Sequence, residues 1–468
     1  MKLSNRDHRS GSPTHLQLMS QRFSPMTQRR FPYPYKALLA VSSDVDATSP
    51  WEFIRIHRFL NTVTPAIPCY GDGVGLDMGD SFFFKNMSNK NGLAVFNSCY
   101  RYNNEAAWAD EFGGEEARVL DAANARDPIT GRLVFENGPK FIEKYILCGW
   151  IDVLHGGDGS WAENSFKRGA TDWCRTDGQH YKEWMAKRGL SIDTFSNHSA
   201  VTSDFGIPNQ PSTSGKPRSL GDLPSAAAYW ADYARQSNIK FYWSYIPSES
   251  AAYRRTFGLK TMLVPATLRD GSKVWHFSRY DSRKPYADTL DSILNKDNLD
   301  TLVNDNKFEI AYTHFGYWSD NDNHVHPELS QASIDAFRLL KTYQDEGKIL
   351  VAKTSRLLRY NLALDRLAFK MTETDGRTII DITAIRDPQF GDFTPTLNDV
   401  RGVTFYVADS FRGEIRLNNT PIPETEIQRN PADVSGMRSI GVEWFQPDHT
   451  DYTTWTSSEV SRSFGGNE

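Results

Sequence analysis

Short apolar runs alternate with segments of helical periodicity from Tyr35 to about residue 355. This alternation indicates βα units, in which buried parallel strands are connected by helices. Helices are predicted at 50–60, 177–188, 225–236 and 331–346. The clearest predicted strands are 37–41, 81–84, 151–154, 191–195, 240–245, 308–312 and 348–352. These elements favour an α/β fold in which the strands form a barrel or a strongly curved parallel sheet.

The pattern changes near residue 358 and predicts a three-part chain. Residues 1–35 lack periodicity and are expected to form an N-terminal arm, and 36–357 form the predicted barrel with an insertion at about 70–145. Beyond 358, alternating apolar and polar positions are separated by Gly, Pro, Asp and Asn turns. This pattern predicts a C-terminal antiparallel β-sandwich over 358–468.

Polar side chains follow the predicted strands where a barrel would gather its active site. Asp44 and Asp46 end the run that begins at Leu38, and in an extended chain they point the same way. His155, His198 and His314 follow three other strands. Because the carboxyl ends of parallel strands meet at one barrel mouth, we expect these side chains to converge. Carboxylates and imidazoles together are suited to a divalent metal with a nearby general base.

Three of these segments match a known pattern. The ordered set Ser43-Asp44-Val45-Asp46, Leu154-His155 and Tyr312-Thr313-His314 resembles the motifs of the polysaccharide deacetylase superfamily, carbohydrate esterase family four and its relatives. The resemblance covers residues 36–355 and is nearest to divergent members associated with surface-polysaccharide assembly. It implies a distorted (β/α)7-type barrel that hydrolyses acetyl groups on glycans with a bound divalent metal.

The resemblance also implies roles for individual residues. Asp44 would be the general base and His314 the general acid. Asp46 and His155 would bind zinc, although Val45 separates the two acidic residues that the family usually places side by side. The family's second motif has a further His four residues after the first, where this chain has Gly159. The third ligand is therefore expected to be either Asp158 or His198.

Other side chains are candidates for substrate binding. Trp243 ends a strand and offers an aromatic platform, and Asp77 could bind a sugar hydroxyl. Arg279 could bind an acidic sugar or position the catalytic base. The 12 Trp, 20 Tyr and 27 Phe exceed the needs of a core and suit a carbohydrate substrate.

Composition excludes several classes of protein. A net charge of −5 argues against a surface dominated by nucleic-acid binding. No run reaches the roughly 18–20 apolar residues of a membrane span, and no secretory signal is evident at the start. Four cysteines without paired spacing indicate neither a disulfide framework nor a zinc knuckle. We therefore expect a cytoplasmic protein, and the resemblance implies a carbohydrate substrate and polysaccharide-assembly enzymes as its partners.

The sequence predicts a metal-dependent hydrolase that removes acetyl groups from an amino sugar of a polysaccharide or its precursor. Two alternatives remain open. A glycoside hydrolase on the same barrel would need a carboxylic acid as proton donor, with Asp158 or Asp77 as candidates. A non-catalytic glycan-binding or assembly protein would keep the barrel without turnover.

Overall fold

The structure, a computed structural model, describes residues 28–45, 48, 50–84, 138–157, 173–198, 202–206, 219–244, 257–282, 285–319, 328–374, 377–407 and 412–465. These residues form a mixed α/β fold with several sheets. The strands of the described segments, in chain order, are β1 (Gln28–Arg29), β2 (Ala37–Ser43), β3 (Asp80–Phe82), β4 (Ile151–His155), β5 (Thr194–Ser196), β6 (Phe241–Trp243), β7 (Leu263–Thr267), β8 (Lys273–Phe277), β9 (Phe308–Thr313), β10 (Ile349–Val351), β11 (Leu367–Thr374), β12 (Arg377–Ile385), β13 (Thr404–Val407), β14 (Gly413–Leu417), β15 (Thr420–Pro421), β16 (Ile427–Asn430) and β17 (Arg438–Val442). The α-helices of the same segments are α1 (Pro50–Asn61), α2 (Gly138–Leu147), α3 (Arg175–Arg188), α4 (Ala231–Gln236), α5 (Lys296–Asn304), α6 (Gln331–Asp345), α7 (Thr354–Arg366) and α8 (Ser457–Phe464).

Two sheets built mainly from parallel strands form the first part of the fold. One has the order β10-β2-β9, and both pairings are parallel. The other has the order β3-β4-β5-β6-β8-β7, in which only the β7–β8 hairpin is antiparallel. A parallel bridge between Tyr280, which follows β8, and Ala311 of β9 links the two sheets. A second contact links the two sheets: the Ser81 hydroxyl of β3 donates to the Ser43 carbonyl of β2 at 2.9 Å. The carboxyl ends of β2, β3, β8 and β9 are therefore neighbours.

Both faces of β2 are covered, as its uninterrupted apolar sequence predicts. Leu39 and Val41 belong to an apolar cluster that includes Phe59 of α1 and Phe337 of α6. Leu38 and Ala40 belong to a second cluster on the opposite face. Because side chains alternate along a strand, the Leu38–Ala40 face continues into Ser42 and Asp44 beyond the apolar part.

The C-terminal part contains two four-stranded sheets. Strands β1, β13, β17 and β16 are all antiparallel to their neighbours, whereas the order β11-β12-β14-β15 includes a parallel β12–β14 pair. The prediction that the strands beyond residue 358 are all antiparallel is wrong at the β12–β14 pair. Between these two strands the chain passes through β13 in the other sheet, and it returns so that β14 runs parallel to β12. Phe369 and Phe405 bring the two sheets into contact, with ring centroids 4.8 Å apart. The sandwich arrangement of these sheets stays a prediction.

Helix α7 connects the two parts and crosses the boundary predicted at residue 358. The backbone N–H of Ser355, in its first turn, donates to Asp152 of β4 at 2.8 Å. The Arg359 side chain donates to Asp193, just before β5, at 2.5 Å. Leu357 and Leu358 are buried with residues of both C-terminal sheets. The predicted N-terminal arm also belongs to this assembly, since β1 pairs with β13.

Each of the seven predicted strands overlaps a strand of the structure, and helices 50–60, 177–188 and 331–346 are confirmed to within two residues. Helix 225–236 begins only at Ala231 as α4, after a series of turns. Helices α2, α5, α7 and α8 were not predicted. Residues 85–137 of the predicted insertion lie outside the described residues. No helix within the described segments is both long and apolar enough to cross a membrane.

The buried carboxyl group of Glu309 should make the stability of the fold depend on pH. Glu309 lies in β9, and its carboxyl group accepts hydrogen bonds from the backbone N–H groups of Gly258 and Ile310. Burial raises the pKa of Glu309 to about 8, against the opposing effect of those hydrogen bonds. The folded protein therefore retains a proton that the unfolded chain loses near pH 4.5. We expect the free energy of unfolding to fall as pH rises from about 5 to 8, by up to about 1.4 kcal/mol per pH unit.

Denaturant unfolding at pH 5, 6, 7 and 8 measures this slope. Glu309→Gln should flatten it, because the amide does not titrate. Glu346→Gln, at an exposed glutamate paired with Lys348, is the matched control and should leave the slope unchanged. Equal slopes in the wild type and Glu309→Gln would contradict the prediction.

Candidate functional site

A buried ion pair lies at the carboxyl end of β2. Arg279 Nη1 donates to Asp44 Oδ1 at 2.6 Å, and Arg279 Nη2 donates to Asp44 Oδ2 at 3.0 Å. Nη1 also donates to the Ser42 hydroxyl at 3.3 Å. Asp44 is 2% exposed and Arg279 is 5% exposed. The two-pronged geometry fixes the orientation of the carboxylate as well as its position.

Electrostatics keep Asp44 ionised in spite of its burial. Burial alone would raise the pKa of this carboxyl group. The Arg279 guanidinium, followed by His155 and His314, outweighs that effect and lowers the pKa of Asp44 below its ordinary value. The site therefore holds a carboxylate rather than a carboxylic acid at neutral pH.

Two aromatic rings hold the Arg279 guanidinium in place. Its Cζ lies 3.7 Å from the centroid of the Trp243 ring and 4.1 Å from that of the Tyr312 ring. The two rings are stacked with centroids 6.2 Å apart. Cation–π contacts of this kind are strongest away from water. Trp243 therefore lies at the site as predicted and contacts Arg279.

His155 is the last residue of β4 and faces Asp44. Its Nε2 lies 3.5 Å from Asp44 Oδ2, and its Nδ1 lies 3.2 Å from the carbonyl oxygen of Ser196. A carbonyl oxygen can only accept, so Nδ1 carries the proton and the lone pair of a neutral ring is on Nε2. This arrangement, in which the second ring nitrogen is held by a backbone carbonyl, is typical of imidazoles that bind metals.

His198 lies beside His155, after the end of β5. The two rings are 5.0 Å apart between centroids, and Phe83 contacts both. The backbone N–H of His198 donates to Asp204 at 2.9 Å, which fixes the chain as it leaves β5. The structure thus brings His155 and His198 together near Asp44, as the strand ends predict.

His314 follows β9 on the other side of Asp44. Its backbone N–H and its Nδ1 both lie 2.9 Å from the carbonyl oxygen of Pro285, so Nδ1 is a donor. Its Nε2 lies 3.2 Å from the Tyr312 hydroxyl. That hydroxyl can donate to the neutral ring or accept from the charged one. His314 can therefore hold or release a proton at Nε2 without moving.

The predicted metal ligands are only partly described. Among the residues that the structure covers, no group of three or more His, Cys, Asp or Glu side chains is placed to hold a metal ion. Asp46 and Asp158 lie outside the described residues. The part that is described fits such a group: two imidazoles lie in contact, and the buried hydroxyl of Ser196, opposite His155 in the sheet, has no hydrogen-bond partner among the described residues.

Asp77 does not belong to this group. It precedes β3, whereas Asp44, His155, His198 and His314 end or follow their strands, so it lies towards the amino ends. Its carboxylate accepts from Arg356 at 2.7 Å and lies 3.4 Å from Lys353 Nζ. Burial opposes ionisation, but Lys353 and Arg356 lower the pKa of Asp77. The structure therefore does not bring Asp77 together with Asp44, because Asp77 precedes β3 and pairs with Lys353 and Arg356 at the other end of the strands.

Besides Arg279, further residues that position the site were not predicted from the sequence. The Ser43 hydroxyl accepts from the backbone N–H of Phe315 at 3.1 Å, which ties the segment before Asp44 to the segment after His314. Asp80 lies behind Ser43 and pairs with the buried His57 of α1 at 3.2 Å. Burial raises the pKa of Asp80 in spite of these partners. In the sequence, the polar Ser42-Ser43 pair at the end of an apolar strand could have indicated that this segment makes hydrogen bonds at the site.

Comparisons of this chain with protein-family models, with curated proteins and with solved structures find no match. The candidate site is therefore interpreted from its own geometry.

The Asp44–Arg279 pair should be essential to stability. Arg279→Met leaves Asp44 buried without its cation, and we expect a loss of about 3–5 kcal/mol in the free energy of unfolding. Asp44→Asn combined with Arg279→Met removes both charges and should recover part of that loss. Denaturant unfolding of the two single variants and the double variant measures the coupling.

Arg175→Met provides the matched control. Arg175 makes the same two-pronged contact with Asp232, at 3.0 and 2.7 Å, on an exposed surface. Its loss should cost no more than about 1 kcal/mol. Equal losses for the two arginine variants would show that burial does not set the cost of breaking the Asp44–Arg279 pair.

Proposed function

We propose that this protein is a metal-dependent hydrolase that removes acetyl groups from an amino sugar of a polysaccharide or its precursor. The observation that supports the proposal best is the Asp44 carboxylate, kept ionised by Arg279 and flanked by His155 and His314 at the ends of parallel strands. One anionic base and an imidazole acid on opposite sides of a site suit hydrolysis of an amide or ester. The resemblance of the motifs to polysaccharide deacetylases agrees with this chemistry.

In the proposed mechanism, Asp44 accepts a proton from the attacking water. A carboxylate has about four lone-pair positions, so the two contacts with Arg279 leave room for this proton. Arg279 holds the carboxylate in one orientation and prevents its protonation in mild acid. A divalent metal bound by His155, Asp46 and either His198 or Asp158 would polarise the acetyl carbonyl and lower the pKa of the water.

His314 supplies the second proton transfer. With Nδ1 bound to the Pro285 carbonyl, the charged ring can give its Nε2 proton to the leaving nitrogen or oxygen. The Tyr312 hydroxyl, 3.2 Å from Nε2, keeps the ring oriented before and after the transfer. Arg279 and Trp243 are positioning residues in this mechanism, and Trp243 also offers a ring to the sugar.

The fold that belongs to this proposal is a distorted (β/α)7-type barrel. The Tyr280–Ala311 bridge and the Ser81–Ser43 hydrogen bond are the contacts that would close the two parallel sheets into one. The C-terminal sheets, as a β-sandwich, would bind glycan or polysaccharide-assembly enzymes. The closure of the barrel and the role of the β-sandwich are part of the proposal.

One observation favours a second candidate, a glycan-binding protein without turnover. Both oxygens of Asp44 are bound by Arg279, and the side chain is almost fully buried. The glycosidase alternative has less support, because Asp77, one of its two candidate acids, is paired with Arg356 at the other end of the strands. Its other candidate, Asp158, lies outside the described residues.

Metal content and acetate release test the proposal. The wild type, loaded with zinc and dialysed, should retain one ion per chain and release acetate from an N-acetylated oligosaccharide. Asp46→Ala and His155→Ala should lose the ion and the activity. Asp44→Asn should keep the ion and lose acetate release by about 10²–10⁴-fold, because only the base is removed.

The exposed His180 of α3 supplies the control, and His180→Ala should keep both the ion and the activity. A wild type that binds zinc and glycan without releasing acetate would identify the non-catalytic protein. A wild type that binds no zinc would overturn the metal-dependent mechanism.

The pH profile tests the role of Arg279. Because the pKa of Asp44 is lowered, activity should persist in mild acid, and the acid limb of kcat/KM should lie below the ordinary carboxyl value. Arg279→Gln removes the cation while burial remains, so the pKa of Asp44 rises and the acid limb moves to higher pH. Arg279→Lys keeps a positive charge and should move it less.

Arg175→Gln, at the exposed pair with Asp232, should leave the profile unchanged. An acid limb that stays in place in Arg279→Gln would show that Asp44 is not the base.

A further inference from the structure

A second cavity lies at the opposite end of the strands from Asp44. It has a volume of about 260 Å³ and is lined by residues that precede β2 and β3, by β10 and the start of α7, and by the segment that follows β17. Because β2 has seven residues with a rise of about 3.3 Å each, the cavity and Asp44 are about 20 Å apart. The cavity is therefore separate from the candidate site described above.

Four aromatic residues contribute to the walls of this cavity. They are Tyr33, Tyr35, Trp444 and Phe445. The last two rings are perpendicular, with centroids 5.4 Å apart, and form a corner. All four side chains are partly exposed. Partly exposed rings around a cavity offer flat apolar faces to a ligand that also carries polar groups.

Hydrogen-bonding groups complete the walls. Gln344, Gln428, Glu443 and Asp448 also line the cavity, and the Gln344 amide oxygen accepts from the backbone N–H of Val351 at 3.1 Å. Amide and carboxylate groups beside aromatic faces are suited to a ring that bears hydroxyl groups. The volume lies just below the range of about 300–1,000 Å³ that is usual for ligand pockets, so the cavity suits one small ring rather than a chain.

The charges of the lining favour a cationic ligand. Arg356 and Lys353 contact Asp77 at 2.7 and 3.4 Å, and the Arg356 guanidinium also lies 4.0 Å from the centroid of the Phe445 ring. These two cations face three carboxylates, those of Asp77, Glu443 and Asp448. Arg401, beside Phe445, is offset by Glu426 at 2.5 Å. The carboxylates of Glu443 and Asp448 accept hydrogen bonds from uncharged groups, Gln446 at 2.7 Å and Tyr452 at 2.5 Å respectively. Hydrogen bonds and Lys353 lower the pKa of Asp448 in spite of burial, so it is ionised at neutral pH.

We propose that this cavity binds a single sugar unit that carries a free amino group, through the Trp444–Phe445 corner and the carboxylates of Glu443 and Asp448. The cavity is independent of the proposed function, but the choice of an amino sugar rests on it in part, because removal of an acetyl group leaves an ammonium.

Calorimetry with two probes tests the inference, a glucosamine tetramer and its fully N-acetylated counterpart. Both are titrated into Asp44→Asn, in which turnover is blocked and the cavity is intact. The amino form should bind at least tenfold more tightly to this site than the acetylated form, and the preference should weaken with added salt. Asp448→Asn and Trp444→Ala should each weaken binding of the amino form by about tenfold or more.

Three further variants separate loss of fold from loss of binding. Trp444 contacts Tyr360, with ring centroids 5.7 Å apart, so Trp444→Phe tests for rescue where Trp444→Ala destabilises the protein. Trp243→Ala reports on any binding at the Asp44 end, and Phe390→Ala, at an exposed aromatic residue outside the cavity lining, is the control that should leave binding of the amino form unchanged. Thermal unfolding of every variant shows whether the fold is retained.

The outcomes that support or overturn the proposal do not depend on whether the protein releases acetate. Binding of the amino form that depends on Trp444 and Asp448, but not on Trp243, supports it even if no acetate is released. Binding that depends on Trp243 instead, equal affinity for both probes, or no binding of the amino form would overturn it even if the enzyme is active.

Discussion

The buried ion pair between Asp44 and Arg279 is the constraint on which the candidate site depends. A carboxyl group that is almost fully buried would ordinarily take up a proton, and only a cation at contact distance reverses this preference. Arg279 can serve as that cation because the rings of Trp243 and Tyr312 hold its guanidinium flat against them. Four elements therefore have to assemble correctly for Asp44 to stay ionised once it is buried. The protonation state of the site in this way depends on correct folding.

The two ends of the parallel strands have different structural roles. At the amino ends, carboxylates contact the first turns of α7: Asp152 accepts from the backbone of Ser355, and Asp193 pairs with Arg359. These contacts attach the C-terminal sheets, which share apolar neighbours with α7. At the carboxyl ends, the same kinds of side chain lie with imidazoles. A helix that closes one end of the strands leaves the other end available for chemistry, which is the usual division in parallel α/β structures.

Much of this arrangement could be predicted because it follows from strand direction alone. Asp44, His155 and His198 each end or follow a parallel strand, so knowing the strands is enough to bring them together. A contact of Arg279 with the catalytic base was one of the two roles expected of Arg279, but its two-pronged geometry could not be predicted, because Asp44 and Arg279 are 235 residues apart and no local pattern records their register. Asp77 precedes both the predicted strand and β3, so strand direction alone places it at the amino ends, away from Asp44.

The contact between Asp44 and His155 favours a cation at this position. Nδ1 of His155 faces a backbone carbonyl, so a neutral ring presents its lone pair at Nε2, 3.5 Å from an ionised oxygen. Two electron-rich atoms at that distance repel unless a proton or a cation lies near them. A divalent cation bound at Nε2 would relieve this repulsion, and Asp44, kept ionised by Arg279, would add its negative charge to the attraction for that cation.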